Sequence, residues 1–425
     1  MDDNYHIINV DDNNSESSSP RIKQISKEIH ITSFRNGLKK SQKSSDIYLL
    51  KNFTKIIEKN KNTSECIKEF SNGILISYGV DSKLYFYRYN SKDEIVIEKI
   101  LSIGTNDNII NIEVLFTENL LLVCANKILK KIYLDPEYNY NSDRINICDT
   151  NSNYNNFCKI KDKAFFICKD KTILIDRDIT NKMRHPREEK SKLNGIFYKA
   201  ITTINENIIV FTSNRVISGG KDVITFYNNF EDKKVEFEGH SFIFTSTGLC
   251  LMEINNDQIL FCACKKYRKG QRNGILLIRN VKSIFNENYD KKNNIKFINT
   301  KHFEIHCFCQ ISYLDDNNNK NLFNKFNVLF TKNYFFVGGY DTKKGKGFIK
   351  LCKINDEFEI EDIELFEGYK GAISSITQSS IKGHIYCSCW DGNNYYKKFV
   401  DLKEYLDKIY KIEHNNFDIE NLINS

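Results

Sequence analysis

No stretch of this sequence is apolar for the roughly 20 residues that a membrane-spanning helix needs. The most apolar segment, Ile109 to Ala125, is interrupted by Glu113, Glu118 and Asn119. The start, Met1-Asp2-Asp3-Asn4, is acidic and lacks the apolar centre of a secretory leader. There is no glycine-rich phosphate loop, zinc-protease helix or serine nucleophile elbow. Gly345-Lys346-Gly347 belongs to a hairpin rather than to a loop entering a helix. No catalytic residue, cofactor or metal is therefore expected. Proline is scarce at 3 residues, and tryptophan occurs once in 425. The net charge of +7 is small for a chain of this length, so charge alone does not point to nucleic acid.

Cysteine is plentiful but wrongly distributed for a disulfide scaffold. The 13 cysteines are odd in number. Most lie in apolar runs such as Leu122-Val123-Cys124 and Phe166-Ile167-Cys168. A reducing compartment, hence a cytoplasmic location, is the simpler expectation. Asn, Lys, Ile, Tyr and Phe are abundant, and all have AT-rich codons. The Asn-rich character, including Asn317-Asn318-Asn319, therefore reflects genome bias as readily as long polar loops.

Residues 1–45 are polar, switching from acidic to basic near Pro20-Arg21, and read as a disordered tail. Ser15 and Ser17 to Ser19 read as solvated tail first and as phosphorylation sites second. From Ile47 the chain changes character. Short runs of Ile, Val, Phe, Tyr and Leu recur, cut by Asn, Asp, Gly and Lys, a strand-and-turn rhythm. After residue 400, Leu402, Tyr405, Leu406, Ile409 and Ile412 have helical spacing, behind an Asp401/Glu404 capping pattern. This segment, 401–413, reads as a helix packed on the body, or else as a free amphipathic helix for a partner.

One stretch carries a recognisable pattern. It runs Phe366-Glu367-Gly368-Tyr369-Lys370-Gly371-Ala372-Ile373-Ser374-Ser375-Ile376 and continues to Cys387-Ser388-Cys389-Trp390-Asp391-Gly392. It resembles one WD40 repeat, with Gly368-Tyr369 in place of Gly-His and Asp391-Gly392 at the turn between second and third strands. A more distant copy begins Phe237-Glu238-Gly239-His240. The resemblance implies an all-β propeller over 46–400, built of four-stranded antiparallel sheets. Its units have first strands starting near 64, 108, 156, 197, 247, 304 and 371. The early spacings fit the family period of about 40–45 residues. Later ones need loop insertions, expected at 281–294 and 315–326. Seven units is the expected number, with six or eight left open. The third unit shows only three strands. The seventh lacks an outer strand, and residues 53–58 are expected to supply it. The family's Trp-Ser-His-Asp network is not reproduced. Asp81, Asp170, Asp222, Asp341 and Asp391 recur near the second-to-third turns, where a carboxylate accepts backbone N–H groups.

Three Cys-x-Cys pairs, Cys262/Cys264, Cys307/Cys309 and Cys387/Cys389, place both sulfurs on one strand face. Small core residues belong there, so packing is expected and zinc is not. His306 beside Cys307 does not make a nucleophile pair, because neighbouring strand residues face opposite ways. The innermost strands read as mostly apolar and short of acids, which counts against an enzyme. The feature that points outward is charge. One turn reads Lys265-Lys266-Tyr267-Arg268-Lys269-Gly270-Gln271-Arg272, and its counterpart in the next unit carries Lys343, Lys344 and Lys346. Equivalent turns of adjacent propeller units lie side by side, so these eight cations are expected to form a basic patch for phosphate or carboxylate groups. Tyr267-Arg268-Lys269-Gly270 faintly resembles the Phe-Arg-Arg-Gly motif of phosphoinositide-binding propellers. The expected role is a non-catalytic scaffold for protein partners. The alternative is binding of anionic lipid or another polyanion through the patch.

Overall fold

The computed structural model describes residues 6–9 and 52–56, the strands and shorter turns of 64–398, and 401–402 with 404–406. Within 64–398 the longest interruptions are 134–144, 177–186 and 312–332. By contacts the chain forms two units, one of Met1–Asn9 with Asn52–Phe399, the other of Val10–Lys51 with Val400–Ser425.

In the first unit the described strands form seven sheets, five of four strands and two of five. The first sheet is Ser64–Phe70, Ile74–Gly79, Lys83–Tyr89 and Ile95–Ser102. The second is Ile109–Leu115, Leu120–Ala125, Ile128–Tyr133 and Ile145–Cys148. The third is Tyr154–Lys161, Ala164–Lys169, Thr172–Asp176 and Arg187–Lys192. The fourth is Phe197–Thr203, Ile208–Arg215, Lys221–Asn228 and Lys233–Glu238, with His6–Asn9 added in parallel at its outer edge. The fifth is Leu249–Ile254, Asp257–Lys266, Arg272–Ile278 and Ile295–Lys301, with Ser241–Phe242 paired to the end of its second strand. The sixth is Phe303–Gln310, Tyr334–Asp341, Lys346–Ile354 and Ile360–Tyr369. The seventh is Ile373–Gln378, Ile385–Cys389 and Asn394–Lys397, with Thr54–Lys55 as its outer strand.

The first strand of each sheet lies against the first strand of the next, and that of the seventh against that of the first, so the series closes on itself. Single sheets of this size cannot bury their faces; radial packing buries both and leaves short edges. Middle strands accordingly read as continuous apolar runs. Tyr334 to Gly339 and Ile385 to Cys389 are buried throughout. The core lies between neighbouring sheets. Ile76 and Phe86 of the first meet Ile112, Leu121 and Val123 of the second. Phe261 and Leu277 of the fifth meet Phe308, Phe335 and Val337 of the sixth.

Closure between the last sheet and the N-terminal side is specific. Thr54 pairs with Tyr396 and Lys55 with Tyr395, and Ile56 N–H donates to the Asn394 carbonyl at 2.8 Å. Residues 57 and 58 lie outside the described residues. Phe53 packs edge-on against Phe336 and Phe366, with ring centres 5.8 and 5.3 Å apart. Asn52 donates to the Glu367 carbonyl at 2.9 Å and accepts from Tyr369 Oη at 2.8 Å. On the inner side, Ser374 Oγ donates to the Ser64 carbonyl and Ser64 Oγ to Asn394.

Several expectations are corrected. His6–Asn9 of the polar tail is a strand, because the exposed edge of Lys233–Glu238 offers unpaired backbone groups to pair with. The rest of 1–45 lies outside the described residues. The third unit gains a fourth strand, Arg187–Lys192. It escapes pattern recognition because an outermost strand need present no apolar face. The insertion at 281–294 is ordered as a 3-10 turn, Val281–Ser283, and a helical turn, Lys291–Asn294, capped by Asp290. In the second unit, 401–402 and 404–406 are helical, with Leu402 and Leu406 buried. Residues 407–413 lie outside the described residues. No helix among the described residues is long and apolar enough to cross a membrane.

Candidate functional site

In all but the fifth sheet the start of the first strand pairs at or next to the end of the second, as in Phe303 with Asp341 and Ile373 with Cys389, and in the fifth Ser241–Phe242 takes that place. The first-strand starts and the second-to-third turns therefore share one face of the ring. Two of these turns are described in full, and the same residue builds both. In the sixth sheet, Asp341 Oδ1 accepts the N–H groups of Lys343 and Lys344 at 2.9 and 3.1 Å. Gly345 closes that turn with φ +67°. In the seventh, Asp391 Oδ1 accepts from Asn393 N–H at 2.9 Å, Oδ2 accepts from Tyr395 Oη at 3.3 Å, and Gly392 has φ +84°. The turn role expected of these two aspartates is what they perform. Asp81 and Asp170 lie outside the described residues, and Asp222 lies within the strand Lys221–Asn228.

The seventh turn is pressed onto the chain entering its own sheet. Trp390 N–H donates to the Ala372 carbonyl at 2.9 Å. A Cβ on Gly371 would stand 2.5 Å from Asp391 N and 2.9 Å from the Trp390 carbonyl carbon, so only glycine allows this approach.

First strands carry a recurring irregularity near this face. Pairing slips between Ser64 and Cys66, between Ile305 and Cys307, and between Ile373 and Ser375. The extra residues at these bulges are Glu65, His306 and Ser374. A bulge re-aims one side chain out of the regular alternation. Glu65 of the first sheet and His306 of the sixth thus flank the seventh, and its Trp390 meets both. The indole Nε1–H donates to Glu65 Oε2 at 3.0 Å, and the His306 ring centre lies 4.9 Å from that of Trp390. His306 Nε2 lies 3.2 Å from Glu304 Oε1. His306 is buried, Glu304 is partly exposed, and Trp390 is 40% exposed. Burial pushes the Glu65 carboxyl above its usual range, offset in part by the Trp390 N–H and by His306. Three sheets therefore fix one partly exposed indole against the Glu65 carboxylate and the His306 ring.

The expectation that first strands are short of acids is corrected here. Glu65, Glu69, Glu113, Glu253 and Glu304 all lie on them. Lys68 bridges the first sheet to the second, donating to the Ile112 carbonyl at 2.7 Å and pairing with Glu113 at 2.8 Å. Glu69 accepts from Ser379 Oγ at 2.5 Å. Glu65, Glu69, Glu113 and Glu304 are held by side-chain partners and Glu253 is exposed, while Ile67, Ile112, Met252 and Ile305 are among the buried apolar residues that pack first strands together.

Of the eight cations expected to form a patch, Lys343, Lys344 and Lys346 are exposed on the sixth turn. Lys344 Nζ is paired with Glu367, at 2.5 and 2.7 Å from its two oxygens, which offsets its charge. Lys265 and Lys266 end the second strand of the fifth sheet, and Lys266 pairs with Arg272 at the start of the third. Arg268 and Lys269, like Tyr267 and Gly270, lie outside the described residues.

The Cys-x-Cys residues are all buried thiols outside any disulfide. Cys307 Sγ lies 3.7 Å from the Ile373 carbonyl, toward the seventh sheet. Burial raises the thiols of Cys307 and Cys387 well above their usual range and that of Cys389 to about 12. They are protonated at neutral pH and are poor nucleophiles. Among the described residues no group of three or more His, Cys, Asp or Glu converges to hold a metal ion.

No protein-family model and no curated protein matches the sequence. Among solved structures, the chain is similar to the WD40 repeats of RRP9, with a TM-score of 0.52 at 7% identity. The match covers 82% of this chain and 97% of that one. At that identity the likeness concerns the fold alone, and the fold is that of a divergent WD40-type β-propeller.

Proposed function

We propose that this protein is a non-catalytic scaffold that docks protein partners on the face where first-strand starts and second-to-third turns gather. The observation that carries this reading is Trp390. This large aromatic is 40% exposed, yet it is held in place by a turn, an indole hydrogen bond and a histidine ring. Rigid, exposed tryptophan is the residue type most enriched where binding energy concentrates, since little side-chain freedom is lost on docking. The buried cysteines outside any disulfide agree with a reducing compartment, which fits a cytoplasmic scaffold. Affinity capture with mass spectrometry, comparing the full chain with Trp390→Ala, tests the reading. Recovery of specific partners is expected to fall about tenfold or more, with circular dichroism unchanged. An identical partner set would refute it.

A second reading rests on Lys343 and Lys346, presented to solvent by a turn that Asp341 orders. With Lys265, Lys266, Arg268, Lys269, Lys344 and Arg272 they would bind a polyanion such as an anionic membrane surface. A variant with Lys265, Lys266, Arg268, Lys269, Lys343 and Lys344 changed to Glu should then lose binding to phosphatidylserine vesicles. Wild-type binding should weaken steeply with salt.

A further inference from the structure

We propose that the Trp390 platform is an arginine-reading site. It would hold the guanidinium of a partner peptide on the solvent-exposed part of the indole, against the Glu65 carboxylate. This inference rests on the docking-face reading above and names its ligand chemistry. The indole is fixed in orientation by its N–H bond to Glu65 and by the His306 ring. A cation within about 6 Å of an indole face is attracted to it, and more strongly where water is partly excluded. Glu65 Oε2 accepts the indole N–H at 3.0 Å, and a carboxylate has room for further donors. A guanidinium stacked on Trp390 can therefore bond Glu65 without displacing the indole. Glu304, 3.2 Å from His306 Nε2, adds negative field wherever that imidazole is neutral. The planar fork suits this better than an ammonium, because one group stacks on the ring and donates sideways to the carboxylate. The cost of burying Glu65 is also relieved when a cation arrives beside it.

Trp390 is the only tryptophan of the chain, so its fluorescence reports on this site alone. The full chain would be titrated with a blocked Ala-Ala-Arg-Ala-Ala peptide and with the same peptide carrying citrulline, which keeps shape and loses charge. The arginine peptide is expected to change Trp390 emission saturably, with a dissociation constant on the order of 0.1–1 mM. The citrulline peptide should bind at least about tenfold more weakly. Glu65→Gln, whose amide oxygen can still accept the indole N–H, should weaken arginine binding about tenfold while leaving the unliganded emission maximum in place. Glu304→Gln should weaken it only a few-fold. No saturable response below about 10 mM, an equal response to citrulline, or full binding by Glu65→Gln would each overturn the proposal. If the peptide fails while Trp390→Ala still strips partners from the full chain, the arginine chemistry falls and the docking face stands. If neither responds, both fall.

Discussion

The sixth and seventh sheets turn between their second and third strands with the same device, an aspartate accepting backbone N–H groups and a glycine of positive φ. Yet the two turns face the solvent differently. The sixth lifts lysines away from the body, and its closest side-chain partner is Glu367 of the same sheet. The seventh is pulled inward against Gly371 and Ala372, and its tryptophan is claimed by residues of the two neighbouring sheets. The backbone device is local, whereas the use of the turn depends on which side chains the adjacent first strands bring to it.

Glycine substitutions break this comparison most sharply. Gly371→Ala puts a methyl into the backbone of Asp391 and Trp390. It is expected to cost on the order of 2–4 kcal/mol by denaturant unfolding and to shift Trp390 emission. Gly345→Ala meets only Tyr340 Oη, at 3.6 Å, so its cost is the left-handed backbone alone, about 1–2 kcal/mol. Equal costs would mean that close approach does not distinguish the turns. Aspartate replacement tests what they share. Asp341→Ala frees two turn N–H groups and should cost about 1–2 kcal/mol, and Asp391→Ala a similar amount. A difference of more than about 1 kcal/mol between them would show that the turns are not equivalent. The smallest effect belongs to Lys344→Ala. It removes a solvent-exposed ion pair and should change stability by less than about 0.5 kcal/mol, less still in high salt.

Much of the fold was legible. Middle strands such as Ile385–Cys389 announce themselves as continuous apolar runs, and Asp391-Gly392 announces its turn. Arg187–Lys192 did not, because its six residues are Arg, Glu, Glu, Lys, Ser and Lys, and its strand character comes from pairing with Thr172–Asp176. His6–Asn9 was lost for a related reason. Four residues in a polar segment become a strand only where an edge is waiting. The candidate site was the least legible part. Trp390 stood out as the single tryptophan, but Glu65 lies 325 residues away and His306 in a different sheet. Strict alternation placed His306 without regard to the bulge that re-aims it. The one available signal was Glu65 and His306, two polar side chains each just inside the start of a first strand.

By itself, the sequence determined the strand-and-turn rhythm, the recurring unit and the turns built by Asp341 and Asp391. These follow from local preferences that act within a few residues. Only the tertiary structure decided which edge His6–Asn9 and Thr54–Lys55 complete, and that Glu65, His306 and Trp390 meet. Those outcomes depend on the ring closing and on register slips of single residues. A slip is set by how two whole strands pack, not by the residue that is moved.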